Sequence, residues 1–102
     1  MTNRLEALLN LLNQNPNDSF TRYGIALEYV AKKDFVNAEK YFKTLLESDP
    51  NYVPAYMQYA ILKSNQNNIE EAKYLFNKGI IKAREAGDKR AASEMEEFLD
   101  EL

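Results

Sequence analysis

Apolar residues return along this chain every three or four positions, in six runs divided by polar breaks. In the first run Leu5, Leu8, Leu9 and Leu12 make one stripe, which predicts an amphipathic helix from about Thr2 to Asn13. Asn15-Pro16-Asn17-Asp18 breaks it and supplies a cap for the second helix, about Ser19 to Lys32. That second helix is apolar on two sides, with Phe20, Tyr23, Leu27 and Val30 along one and Ile25, Ala26 and Tyr29 elsewhere. A helix greasy on two sides is expected between neighbours rather than on a surface.

Asp34 reads as the cap of a third helix, about Phe35 to Glu47, with Phe35, Ala38, Phe42, Leu45 and Leu46 as its buried face. Ser48-Asp49-Pro50-Asn51 stops it, because proline biases its predecessor away from the helical region. A fourth helix is expected from Asn51 as cap to about Asn65, tolerating Pro54 in its first turn. The fifth opens on Asn68 and Glu71, spaced as in a capping box, and runs through Phe76, Ile80 and Ala83 to about Ala86. Gly87 and Asp88 then read as a C-cap followed by an N-cap. The last helix, about Lys89 to Leu102, is expected to turn Ala91, Met95, Phe98, Leu99 and Leu102 inward. Glu94, Glu96, Glu97, Asp100 and Glu101 face out.

The runs repeat. At a spacing of about 34 residues Pro16-Asn17 falls on Pro50-Asn51, Ala26 on Ala60, Ala38 on Ala72 and Phe42 on Phe76. Leu8, Leu11 and Leu12 fall on Phe42, Leu45 and Leu46, so the first helix belongs to the pattern. Small residues at facing sites let antiparallel helices approach, and the phenylalanines fill the space toward the next pair.

The stretch Tyr23-Gly24-Ile25-Ala26-Leu27-Glu28-Tyr29, then Asp34-Phe35-Val36-Asn37-Ala38, Phe42 and Asp49-Pro50-Asn51, resembles one tetratricopeptide repeat. Tyr56-Met57-Gln58-Tyr59-Ala60 with Ile69-Glu70-Glu71-Ala72-Lys73 and Phe76 resembles a second, and Leu8 to Pro16 the closing half of another. The end of the chain is similar to that of small stand-alone bacterial members. The resemblance implies an all-α helical-hairpin solenoid of two full repeats, a leading half-repeat helix and a C-terminal capping helix. Its segments are 1–17 for the half-repeat, 19–52 and 53–86 for the repeats, and 88–102 for the cap.

The resemblance also implies a non-catalytic scaffold that holds a protein or peptide in a concave groove. Carried over, that groove is lined by Phe20, Tyr23, Leu27 and Val30 from the first repeat and by Met57, Ile61 and Asn65 from the second, with Lys63 at the rim. Self-association into a homodimer through the same surface is the alternative. The family's carboxylate clamp for chaperone tails is not matched. Tyr23 and Leu27 stand where lysine and asparagine are expected, and Asp88 and Ala92 replace its basic pair.

Composition trims the remaining possibilities. One domain fits 102 residues, and 28% charged beside 45% hydrophobic residues is ordinary for a folded globular chain. The absence of histidine and cysteine removes most nucleophile–base pairs, zinc sites and disulfides, and fits a cytoplasmic setting. No cofactor is expected. A net charge of −3 argues against nucleic acid as partner, and no apolar run is long enough to span a membrane. The amino terminus does not read as a secretory signal.

Three features remain to be weighed. Glu94, Glu97, Asp100 and Glu101 form an acidic face, read as a solvated surface rather than a cation site. Lys32-Lys33 reads as positive charge near a helix C-terminus. Among the tyrosines, Tyr23 and Tyr56 are those expected to face the groove.

Overall fold

The computed structural model describes residues 3–102, and among these there are six α-helices and no strand. They are α1 (Arg4–Gln14), α2 (Ser19–Ala31), α3 (Phe35–Ser48), α4 (Val53–Asn65), α5 (Ile69–Glu85) and α6 (Lys89–Asp100). The expected start of the first helix at Thr2 lies outside the described residues. The chain divides into two compact units, Met1–Pro50 and Asn51–Leu102.

In the first unit, three side-chain caps set the helix starts. Asn3 Oδ1 accepts from the Glu6 amide at 2.8 Å, and Asp18 accepts from the Phe20 amide at 3.2 Å and the Thr21 hydroxyl at 2.6 Å. Asp34 accepts from the amide and the side-chain amide of Asn37. Each satisfies donors that the first turn leaves without a helical partner. The core of this unit is α2 on α3, where Ile25, Ala26, Ala38, Phe42 and Leu45 are all fully buried. At its other end the Ser19 hydroxyl donates to Asp49 at 2.7 Å, and Arg22 donates to Ser48 and to the Pro16 carbonyl.

Helix α1 lies on α2 with Leu8 beside Gly24 and an Arg4–Glu28 ion pair of 2.8 Å. No residue of α1 is buried. Phe35 departs from expectation: it is exposed. It is the first residue of α3, and side chains in a helix lean toward the N-terminus, so at this position no earlier turn of α3 lies beneath it.

In the second unit α5 packs against both α4 and α6. Ala55, Ala60, Ala72, Ala83 and Met95 are fully inaccessible, and Phe76 is nearly so. Two expected caps differ. Tyr52, not Asn51, precedes α4, with no side-chain cap bond; Pro54 in the first turn removes one donor that a cap would serve. Asn68 does precede α5, but no capping box closes. Its own amide donates to the Lys63 carbonyl at 2.9 Å, and Glu71 turns to the Lys63 ammonium instead.

One turn is used three times. Lys33 (φ 61°), Asn67 (φ 62°) and Gly87 (φ 75°) each close a helix in the left-handed region, and each is followed by a residue that starts the next helix. The amides of Asp34, Asn68 and Asp88 reach back to the carbonyls of Tyr29, Lys63 and Ala83, the long bond of a Schellman ending. In α6 Met95 is buried as expected, but Ala92 takes the buried place expected of Ala91, and Phe98 lies at the edge of the stripe, partly exposed.

Candidate functional site

The two faces named from sequence are reached separately, one in each unit. On α2, Ile25 and Ala26 are spent on the core, which fixes the rotation of the helix. Phe20, Tyr23, Leu27 and Val30 then share another side, since steps of three and four residues stay on one face. Tyr23, Leu27 and Val30 are half-buried, while Phe20 is 72% exposed. This is an apolar, aromatic strip with one end uncovered.

On α4 the core takes Tyr56, Tyr59, Ala60 and Leu62. That leaves Met57 and Ile61 half-buried and Asn65 exposed, at steps of four. Tyr56 therefore does not face a groove: it is 3% exposed, and its Cβ stands where α5 passes at Gly79. Lys63 is not a rim group either. It is 7% exposed, its ammonium lies 3.0 Å from Glu71 and 5.8 Å from the centre of the Tyr59 ring, and its charge is engaged within the α4–α5 hairpin. Two residues from Ile61, it lies roughly 200° around the helix.

Sequence reasoning missed the wall opposite α4. The carboxyl ends of α4 and α6 meet at a cleft of about 260 Å³, to which α4 gives Ile61, Ser64 and Asn65. Phe76 of α5 adjoins it, and Phe98, Glu101 and Leu102 close the far side. The signal was present, because Phe98 and Leu102 lie four residues apart on the stripe read as wholly inward. Phe98 stacks nearly parallel on Phe76, with ring centres 5.5 Å apart. A second, shallower cleft of about 290 Å³ shares Phe98 and Glu101 and adds Glu94 and Glu97.

The remaining candidates sort by geometry. Lys32 caps α2 and Lys33 forms the turn after it, both exposed. Glu94 pairs with Arg90 at 3.2 Å, and Glu96 pairs with Arg84. Among the described residues no group of three or more carboxylates is arranged to hold a metal ion, and no helix is long and apolar enough to cross a membrane.

Known proteins share this architecture. Residues 29–93 match the model of the tetratricopeptide repeat family. A TPR repeat-containing protein of Pseudomonas aeruginosa is 24% identical over 96% of this chain and 93% of its own. The solution structure of a tetratricopeptide repeat domain protein from Salinibacter ruber is 31% identical, with a TM-score of 0.81 over 85% of this chain and 88% of that one. The TPR2B domain of yeast Sti1, solved as a complex with pHsp70, reaches a TM-score of 0.87 over 93% of this chain and 76% of that one. At 20% identity it shares the fold alone. With the family model spanning more than half of the chain, and the helix pairs and buried alanines and phenylalanines falling where its repeats need them, this chain belongs to the tetratricopeptide repeat family.

Proposed function

We propose that the chain is a non-catalytic module that holds a protein or peptide against the α2 strip of its first unit and the α4 strip of its second. Domains of this family are protein-interaction scaffolds, which supports the class of function. Phe20 carries the reading to this surface. A single exposed apolar residue means little, but Phe20 heads a continuous row with Tyr23, Leu27 and Val30. Covering such a ring contributes about 1.5–3 kcal/mol, and aromatic residues are the usual anchors of interfaces. Met57 supplies an adaptable thioether beside Ile61, and Asn65 offers hydrogen bonds that orient a partner's backbone.

Peptides selected from a displayed random library on the native chain provide the test. Phe20→Ser, Leu27→Ser or Met57→Ala should weaken the selected peptides at least about tenfold. Val36→Ser on α3 and Tyr74→Ser on α5, both exposed, should leave them unchanged. The reverse pattern contradicts the assignment. The row headed by exposed Phe20 would also serve a second copy of the chain. Sedimentation equilibrium over a concentration series separates the two readings, because a constant monomer mass removes self-association.

A further inference from the structure

The cleft at the ends of α4 and α6 has an apolar side and a charged side. Ile61, Phe98 and Leu102 line it, and Glu101 belongs both to it and to the shallower cleft alongside, where Glu94 and Glu97 join. Phe98 takes part in both clefts, so its ring stands between them. Buried Phe76 stacks beneath that ring and holds it in place.

The charges around the ring are unbalanced. Arg90 answers Glu94, and Arg84 is taken by Glu96. Glu97 and Glu101 have no ion-pair partner among the described residues, and both are exposed. Four residues apart on one helix end, they repel each other. A cation beside them relieves that repulsion, and a long alkyl stem covers the apolar wall that leads to them.

We propose that this double cleft receives an arginine side chain from an extended basic segment of the partner. Its stem lies along Ile61 and Phe98, its guanidinium reaches Glu97 and Glu101, and Ser64 and Asn65 meet the neighbouring backbone. Arginine fits better than lysine because its planar group both stacks on an aromatic ring and forks to carboxylates. A bare metal ion fits poorly, since these carboxylates are not gathered around a point. A second copy of the chain, itself at −3, brings the wrong net charge. The proposal rests on the reading of α4 as a binding face and makes the chemistry of its partner definite.

Fluorescence anisotropy on the full chain tests it with three short blocked peptides, in which leucine alternates with arginine, serine or glutamate. The arginine peptide should bind about tenfold more tightly than the serine peptide, and the glutamate peptide more weakly still. Replacing Glu97→Gln and Glu101→Gln together should remove that preference without weakening the serine peptide, and added salt should do the same. Both side chains are exposed, so an unchanged melting curve confirms an intact fold. Equal affinity for the three peptides overturns the proposal but spares the α4 reading, provided Met57→Ala weakens all three alike. If the arginine peptide fails to bind, or if calcium or magnesium alone stabilises the native chain but not the double variant, the proposal is wrong.

Discussion

The two units are built on the same hairpin and finish differently. In the first, the end helix α1 rests on α2 with only half-buried or exposed leucines, and the space beside Gly24 is merely filled: an added Cβ would meet Leu8 at an ordinary 3.4 Å. In the second, α6 drives Met95 into the core. A Cβ on Gly79 would lie 2.6 Å from the Met95 sulfur and 2.7 Å from Tyr56 Cβ. One end helix is a cover and the other is part of the core. A helical hairpin cannot hide both faces of its helices alone, so the third helix of each unit decides how firmly that unit is held.

Removing each end helix breaks the comparison most severely. Deleting residues 88–102 uncovers Phe76 and the Gly79 face of α5, and the truncated chain should aggregate. Deleting residues 1–17 uncovers mainly one side of α2, and the product should stay soluble with a lower melting temperature. Size-exclusion chromatography with thermal melts checks both, and a soluble, cooperatively melting 1–87 fragment would refute the difference. Next in size is the glycine pair. Gly79→Ala should cost about 1–3 kcal/mol through overpacking against Met95 and the Cβ of Tyr56. Gly24→Ala should be neutral or stabilising by up to about 1 kcal/mol, the ordinary gain of alanine inside a helix. Denaturant melts read both, and equal losses would erase the distinction.

The shared turn sharpens the comparison at smaller scale. Lys33, a side chain without special tolerance for positive φ, should gain about 1 kcal/mol on change to glycine, whereas Asn67→Gly should gain only a few tenths. Smallest is a titration effect confined to the first unit. Partial burial raises the Tyr29 hydroxyl above its ordinary value, with the charges of Tyr41 and Asp34 adding to it. Tyr29 stacks on Tyr41 at 5.7 Å. The folded state thus favours the neutral phenol, so its contribution to stability is complete at neutral pH and is lost as pH rises above about 10. A late tyrosinate absorbance step that vanishes in Tyr29→Phe is the expected result.

The helices were legible in sequence because their breaks are chemical: Asp18, Asp34 and Asp88 cap as their side chains dictate. Ala26, Ala38, Ala60 and Ala72 are fully buried as the repeat requires. Periodicity was weaker at helix ends and for rotation about the axis. Phe35 and Phe98 fell on apolar stripes yet sit at edges where they stay partly exposed, Phe98 with one face on Phe76, and α6 buries Ala92 rather than Ala91 while Met95 lies against Gly79. Tyr56 and Lys63 were misplaced for a related reason. Both are amphipathic side chains whose bodies can pack on either side of a helix, and composition cannot say toward which. The α4–α6 cleft is a tertiary feature: the four-residue spacing of Phe98 and Leu102 marks its far wall, but packing decides which helix faces that wall.

The proposed function requires binding on the α2 and α4 strips. Amide and methyl chemical-shift mapping of the labelled chain with a library-selected peptide tests it directly. Perturbations should concentrate at Phe20, Tyr23, Leu27, Val30, Met57, Ile61 and Asn65. Shifts confined to the exposed Val36 and Tyr74 surfaces of α3 and α5 would contradict it.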